Sequence, residues 1–334
     1  MMNASLRDNG AISLTCSFVN VTFYGDRQEL AFNISACVLN GLFAISSTLF
    51  NSVVLFAVWK TRALHTPSNT LLSGLAASNL AVGCVLQPLY IAMKLLEIHQ
   101  VLAPYCHLRI ALETLTMVVS GTSFLTLTFI AVERYLALYL HLRYKAIITC
   151  QRMAICLAIS WLLPVIGALS RFRLSPRAVA SIAGSIIIAC LLLNIWAYFQ
   201  IFRFVKRHTT QIENITSRLQ VSGSTVEISK YNKTVVTMAT LLLTLIVSYA
   251  SFVGVTNAIA FGGKRKRSLS TAYTVLAIWI YATSSLNPVF YCWRLRDFRQ
   301  AVIKIIFNER QWLSIRTLAI FEKSFIYNGI WIEE

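Results

Sequence analysis

Where one apolar run of this 334-residue chain ends, two opposite charges stand side by side, Glu133 and Arg134, followed by Tyr135. A carboxylate next to a guanidinium at the edge of an apolar segment can hold the arginine in a local ion pair. Loss of that pair, or a new partner for the arginine, biases a two-state equilibrium. This is switch chemistry, with no bond made or broken. Four further ionisable groups enter apolar stretches: Lys94, Arg109, Glu113 and Arg203. Such groups are costly there and mark either function or a buried pair. As a ligand contact Glu113 favours a cationic or zwitterionic group; a pair with Lys94 or Arg109 is the plainer expectation. Asn51, Asn79 and Asn287 carry amides that can satisfy one another between helices. No nucleophile beside a base, phosphate loop or His/Cys cluster at metal spacing emerges, and the five histidines are scattered. Enzyme activity, a cofactor and a metal are therefore not expected.

The elements that must position these groups are seven apolar stretches: 36–59, 71–95, 108–132, 153–169, 178–204, 235–261 and 269–291. About 20 apolar residues rising about 1.5 Å each cross the hydrocarbon core of a bilayer. With 57% hydrophobic and 13% charged residues, the composition is that of an integral membrane protein. Lipid leaves backbone amides no partner but their own helix, and barrel strands are shorter and alternate. The expectation is an all-α fold, a seven-transmembrane helix bundle over 36–291, with an N-terminal segment 1–35 before it.

Of 30 lysines and arginines, 19 fall on one side if the N-terminus is outside, and 11 on the other. The positive-inside rule then places the N-terminus outside and the C-terminus in the cytosol of a plasma-membrane protein. Asn3, Asn20 and Asn33 open glycosylation sequons in the N-terminal segment, with Asn33 close to the membrane. No apolar core of a cleaved signal peptide is evident in the first 30 residues, so the first span would act as its own insertion signal. The net charge of +17 is spread over loops flanking lipid, where it meets anionic headgroups, and nucleic-acid binding is not expected. Arg171, Arg173, Arg177 and the run Lys264 to Arg267 on the outer side are a solvated loop or a field for an anionic ligand.

Glu133-Arg134-Tyr135 closing the third span and Asn287-Pro288-Val289-Phe290-Tyr291 closing the seventh resemble the rhodopsin-like G-protein-coupled receptors. Asn51 with Val54, the run Leu75 to Leu80, Trp161 with Pro164, and Tyr198 match further positions in order, so the resemblance covers about 39–304. It implies an extracellular ligand, a heterotrimeric G protein as partner, and Arg134 as the group that meets it. Pro288 removes a backbone donor and lets Asn287 and Tyr291 turn inward. Residues 292–307 look like an amphipathic eighth helix on the inner membrane face, with Phe298, Val302, Ile305 and Ile306 at helical spacing, before a cytoplasmic tail, 308–334.

Departures from the family pattern bear on activity. Asn79 stands where the family has aspartate, which implies weak or absent sodium regulation. Ser251 replaces the sixth-helix proline, leaving Tyr249 and Phe252 as aromatic toggle candidates, and Cys190 replaces the fifth-helix proline. The loop Ser170 to Arg177 has no cysteine, so the family's usual disulfide cannot form; Cys16, Cys37 and Cys106 are left on the oxidising side, with Cys16–Cys106 one of three pairings. Short loop, absent cysteine and absent proline resemble the melanocortin, lysophospholipid, cannabinoid and adenosine branch. A non-signalling or constitutively biased receptor is the nearest alternative. A transporter or channel would show internal repeats, which are lacking, and a retinal photoreceptor would need a lysine between Leu269 and Tyr291.

Overall fold

Thr66, Thr149 and Ser175 each stand immediately before an apolar stretch, and each hydroxyl accepts a hydrogen bond from the backbone N–H three residues on, at 3.3 Å. These caps start the second, fourth and fifth spans, and Pro67 and Pro176 occupy the first helical position, where no backbone donor is needed. The structure, a computed structural model, describes residues 2–6, 12–16, 19–23, 27–219, 243–244, 246–262, 267–294 and 299–303.

The helices run α1 (Arg27–Lys60), α2 (Pro67–Ala81), α3 (Gln87–Ile98), α4 (Leu102–Leu140), α5 (Tyr144–Ile147), α6 (Cys150–Ser170), α7 (Pro176–Leu219), α8 (Ile246–Phe261) and α9 (Arg267–Arg294). α2 and α3 are one span, joined by a π turn, Val82–Leu86. Six spans are long and apolar enough to cross a membrane, and α8 supplies the sixth in chain order; the first part of that stretch, residues 235–242, lies outside the described residues. The seven-helix bundle expected from the apolar runs is the observed fold.

Three helices overrun their apolar runs, for one reason. α1 begins at Arg27 rather than at Ala36, α4 extends from Leu102 to Leu140, and α7 reaches Leu219. Polar turns continue a helix past the lipid when its backbone bonds are already propagating. The N-terminal segment, before a bundle expected to be all-α, carries a three-stranded antiparallel sheet: β1 (Met2–Leu6), β2 (Ile12–Cys16) and β3 (Val19–Phe23). Its register pairs Thr15 with Asn3 on one side and with Asn20 on the other, and β2 lies against α4.

α4 is the hub, packed on α2, α3, α6 and α7, while α1 closes against α2, α3 and α9. Gly83, in the π turn, lets the second span meet α1: a Cβ there would lie 2.7 Å from Thr48 Oγ1, 2.9 Å from Thr48 N and 3.0 Å from Ala44 O. The π turn precedes Pro88, whose missing N–H cannot continue the ladder. Beyond it Gln87, Tyr90, Met93 and Lys94 recur at helical spacing as the buried face of α3. Leu42, Ile45 and Leu49 of α1 and Ile182, Ile186 and Leu192 of α7 are more than half exposed, forming apolar stripes suited to lipid. Residues 299–303 are helical, with Ala301 and Val302 packed on Val54, Ala57 and Leu64; residues 295–298, with Phe298, and 304–334, which between them hold the tail and the rest of the expected eighth helix, lie outside the described residues.

Candidate functional site

At the end of the bundle where α4 stops, Glu133 is buried, with its side chain 2% exposed, and Arg134 is 29% exposed. Arg134 Nε lies 3.5 Å from Glu133 Oε2. The other carboxylate oxygen is held more closely: Oε1 accepts from Ser68 Oγ of α2 at 2.6 Å and from the Tyr144 hydroxyl of α5. Burial, and then the bond to Glu133, push the Tyr144 phenol up to about 12. Two neutral donors from neighbouring elements therefore keep the carboxylate in place, and its hold on the arginine is loose. Tyr135 leans away from the pair, stacked on Tyr139 at 5.7 Å and edge-on to Trp196 of α7 at 4.9 Å. Tyr198 is half-buried on the same helix. Asn287 is half-buried and Pro288 buried within α9, whereas the side chain of Tyr291 lies outside the described residues.

In the middle of the bundle the three asparagines do not bond one another among the described residues. Asn51 donates to the carbonyls of Ser47 at 2.8 Å and of Ser284 in α9 at 3.1 Å, and Ser47 Oγ donates to the Asn79 carbonyl at 3.0 Å. The expected amide-to-amide network is thus replaced by amide-to-carbonyl contacts, because a small residue, Ser47, fills the space between α1 and α2. Both side-chain polar atoms of Asn79 and of Gln87 are buried with no protein partner among the described residues. Serine and threonine do most of the stitching: Ser123 Oγ to Ser78 Oγ at 2.9 Å, Thr126 Oγ1 to Ser160 Oγ at 3.2 Å, and Asn194 Nδ2 to Thr128 Oγ1 at 2.9 Å. Tyr249 of α8 lies with its ring 4.3 Å from that of Phe124 and its hydroxyl 3.4 Å from the Ser120 carbonyl, and Phe252 lies 5.6 Å from Tyr273.

At the opposite end Glu113 sits between two guanidinium groups, Oε1 on Arg109 Nε and Oε2 on Arg171 Nη2, each at 2.7 Å. Lys94 does not reach it; its ammonium pairs with Glu97 at 3.0 Å and donates to Asn33 Oδ1 at 3.0 Å. Asn33 is therefore a buried member of α1, 3% exposed and bonded on both sides of its amide, since Nδ2 also donates to Glu97 at 3.4 Å. That placement contradicts Asn33 as a glycan acceptor: the α1 helix starts before the sequon, so its amide is turned into the bundle. Cys106 is disulfide-bonded, and Cys37, one of its possible partners, is free. No group of three or more His, Cys, Asp or Glu that could hold a metal occurs among the described residues.

Spacing made two of these pairs readable in advance, since Arg109 and Glu113 are four apart and Lys94 and Glu97 three apart on their helices. Ser68, Tyr144 and Arg171 carry no such signal; they arrive from other elements.

Over residues 50–175 the chain matches the family described as 7 transmembrane receptor (rhodopsin family). It is similar to the histamine H2 receptor of Cavia porcellus, 25% identical over 274 residues, covering 75% of this chain and 73% of that protein. It is similar also to the trace amine-associated receptor 9 of Mus musculus, 22% identical over 80% of this chain and 82% of that protein. The trace amine-associated receptor 1 of Macaca mulatta is 22% identical over 88% of this chain and 94% of that protein. The matched family is one of receptors, and the likeness accompanies a bundle of membrane-length helices.

Proposed function

We propose that a ligand entering at the Glu113 end shifts this bundle to a state in which Arg134 engages a heterotrimeric G protein at the other end. The observation that carries the proposal is the division of labour around Glu133. Ser68 and Tyr144 anchor its carboxylate, so that Arg134, held at 3.5 Å and partly exposed, is free to change partners. At 3.5 Å, with the arginine partly exposed, the pair is loose enough for a competing acceptor on a G-protein surface to replace it. Asn287, Pro288, Tyr291, Tyr198 and Tyr135 surround that end as the elements that move, and Tyr249 and Phe252 link it to the ligand end.

The proposed orientation places the N-terminus outside, supported by the excess of lysine and arginine on the Arg134 side. There Arg203, Lys206, Arg207 and Thr210 line an open cavity of about 430 Å³ suited to anionic headgroups. Cys16 closes β2, which lies against α4, and this supports Cys16 as the partner of Cys106. Placement near the melanocortin, lysophospholipid, cannabinoid and adenosine branch is supported by Ser251, Cys190 and the short cysteine-free loop, set against relatives named for amines.

The test uses ligand-independent nucleotide exchange on a panel of G proteins by membranes carrying the full chain. Glu133→Gln, which keeps size and loses charge, raises basal exchange about two- to fivefold, as release of such a pair requires; Arg134→Ala brings it to background. Equal exchange by all three proteins at equal surface expression defeats the proposal.

A further inference from the structure

Resting on the receptor proposal above, the geometry of the Glu113 end points to a ligand with an anionic head, carboxylate or phosphate oxygens, bound by Arg109, and not to a cationic amine. A protonated amine needs a carboxylate whose charge is not already spent. The described carboxylates of this end are all paired: Glu113 with two guanidinium groups, Glu97 with Lys94, and Glu29 with Arg267 at 3.6 Å. Glu113 would have to give up a 2.7 Å contact on one of its oxygens to take an ammonium. Arg173 and Arg177 add positive charge with no acidic partner among the described residues, so the local field attracts anions.

Arg109 is the group with capacity to spare. It is 7% exposed. Its Nε is committed to Glu113, one Nη reaches only the weak acceptor Met93 Sδ at 3.6 Å, and the remaining N–H groups have no acceptor among the described residues. A guanidinium presents five donors in a planar fork matched to a carboxylate or phosphate. Glu113 fixes the orientation of that fork from one edge, and the Tyr273 ring lies 5.8 Å away. The buried Tyr90 hydroxyl, on the same face of α3 as Met93, also lacks a partner among the described residues and can donate to the same head. Next to it the Tyr90 and Tyr281 rings meet edge-on at 6.3 Å within a buried apolar cluster that includes Leu112 and Val119.

The test swaps only the head on one body: 3-phenylpropionate, 2-phenylethyl phosphate and 2-phenylethylamine, with the thermal midpoint of the purified full chain as the readout. At saturation one or both acids raise the midpoint by about 2–4 °C, and which acid does so separates carboxylate from phosphate recognition. The amine leaves it unchanged. Arg109→Gln removes the acid shift. Should Arg109→Gln fail to fold, Arg109→Lys keeps the charge and weakens the acid at least tenfold through loss of the fork. No shift with either acid overturns the inference, as does an amine shift that disappears in Glu113→Gln. The midpoint needs no G protein. Acid binding without nucleotide exchange therefore upholds this inference and defeats the receptor proposal, and exchange driven by the amine does the reverse.

Discussion

At Glu133 three donors compete for one carboxylate, and their ranking sets the behaviour of the Arg134 end. Tyr144→Phe removes a charge-assisted hydrogen bond, an interaction worth about 1.5–3 kcal/mol when buried and less here, where the phenol is only partly covered. The expected result is a carboxylate freer to follow Arg134 and a fall in basal nucleotide exchange, opposite in sign to Glu133→Gln; a rise would show that Tyr144 restrains the active state. The phenol also dictates a pH profile. Its folded value, about 12, lies above the ordinary phenol value, so its contribution is complete below about pH 10 and is lost as pH climbs through about 12. Basal exchange should therefore show no step between pH 6 and 9 that Tyr144→Phe abolishes. The pairing of Glu133 with Arg134 was evident from adjacency alone. Ser68 and Tyr144 were not, because a hydroxyl on another element leaves no trace in local spacing. Asn51, Asn79 and Asn287 show the converse: their types announced a polar interior, while Ser47 decided which atoms meet.

For whole elements, apolar length is the dominant signal, and it located the six membrane-length spans and the described part of the remaining one, Ile246–Phe261. It did not locate their ends, since lipid thickness limits the apolar run and not the helix that carries it. The π turn in the second span also escaped, because Pro88 admits either a kink or a widened turn and only packing against α1 selects between them. Gly83 is the residue on which that packing turns. Gly83→Ala places a methyl against backbone atoms of Thr48 and Ala44, which no rotamer change can relieve. A loss of about 1–3 kcal/mol is expected, seen as a drop of several degrees in the thermal midpoint. Gly254→Ala is the matched control. Nothing lies within 4 Å of its added carbon, so in the middle of α8 it should be neutral or raise the midpoint. Equal effects at the two positions would contradict the close approach of α1 and the second span.

Across the whole molecule, topology and N-terminal organisation are tested together. If the N-terminus is outside, deglycosylation shifts the mobility of the wild-type chain, Asn3→Gln and Asn20→Gln each remove part of that shift, and Asn33→Gln removes none, since Asn33 is bonded to Lys94 and Glu97. A full shift lost in Asn33→Gln would mean that α1 starts later than Arg27. Peptide mapping without reduction should recover Cys16 joined to Cys106, and Cys106→Ser should leave Cys16 open to alkylation. The sheet lay beyond the reach of a reading based on spans, because strands of five residues in a polar segment give too short a pattern to separate from loop.

The widened turn at Val82–Leu86 has a practical corollary for anyone exchanging segments between this chain and its relatives. A turn of that kind holds one more residue than a regular helical turn. A donor whose second helix lacks it, joined position for position, would arrive one residue out of phase, about 100° around the axis. Gln87, Tyr90 and Lys94 would then be turned out of the bundle, and the hybrid would lose the buried contacts they make there. Chimaeras should be joined before Val82, or trimmed by one residue after Leu86.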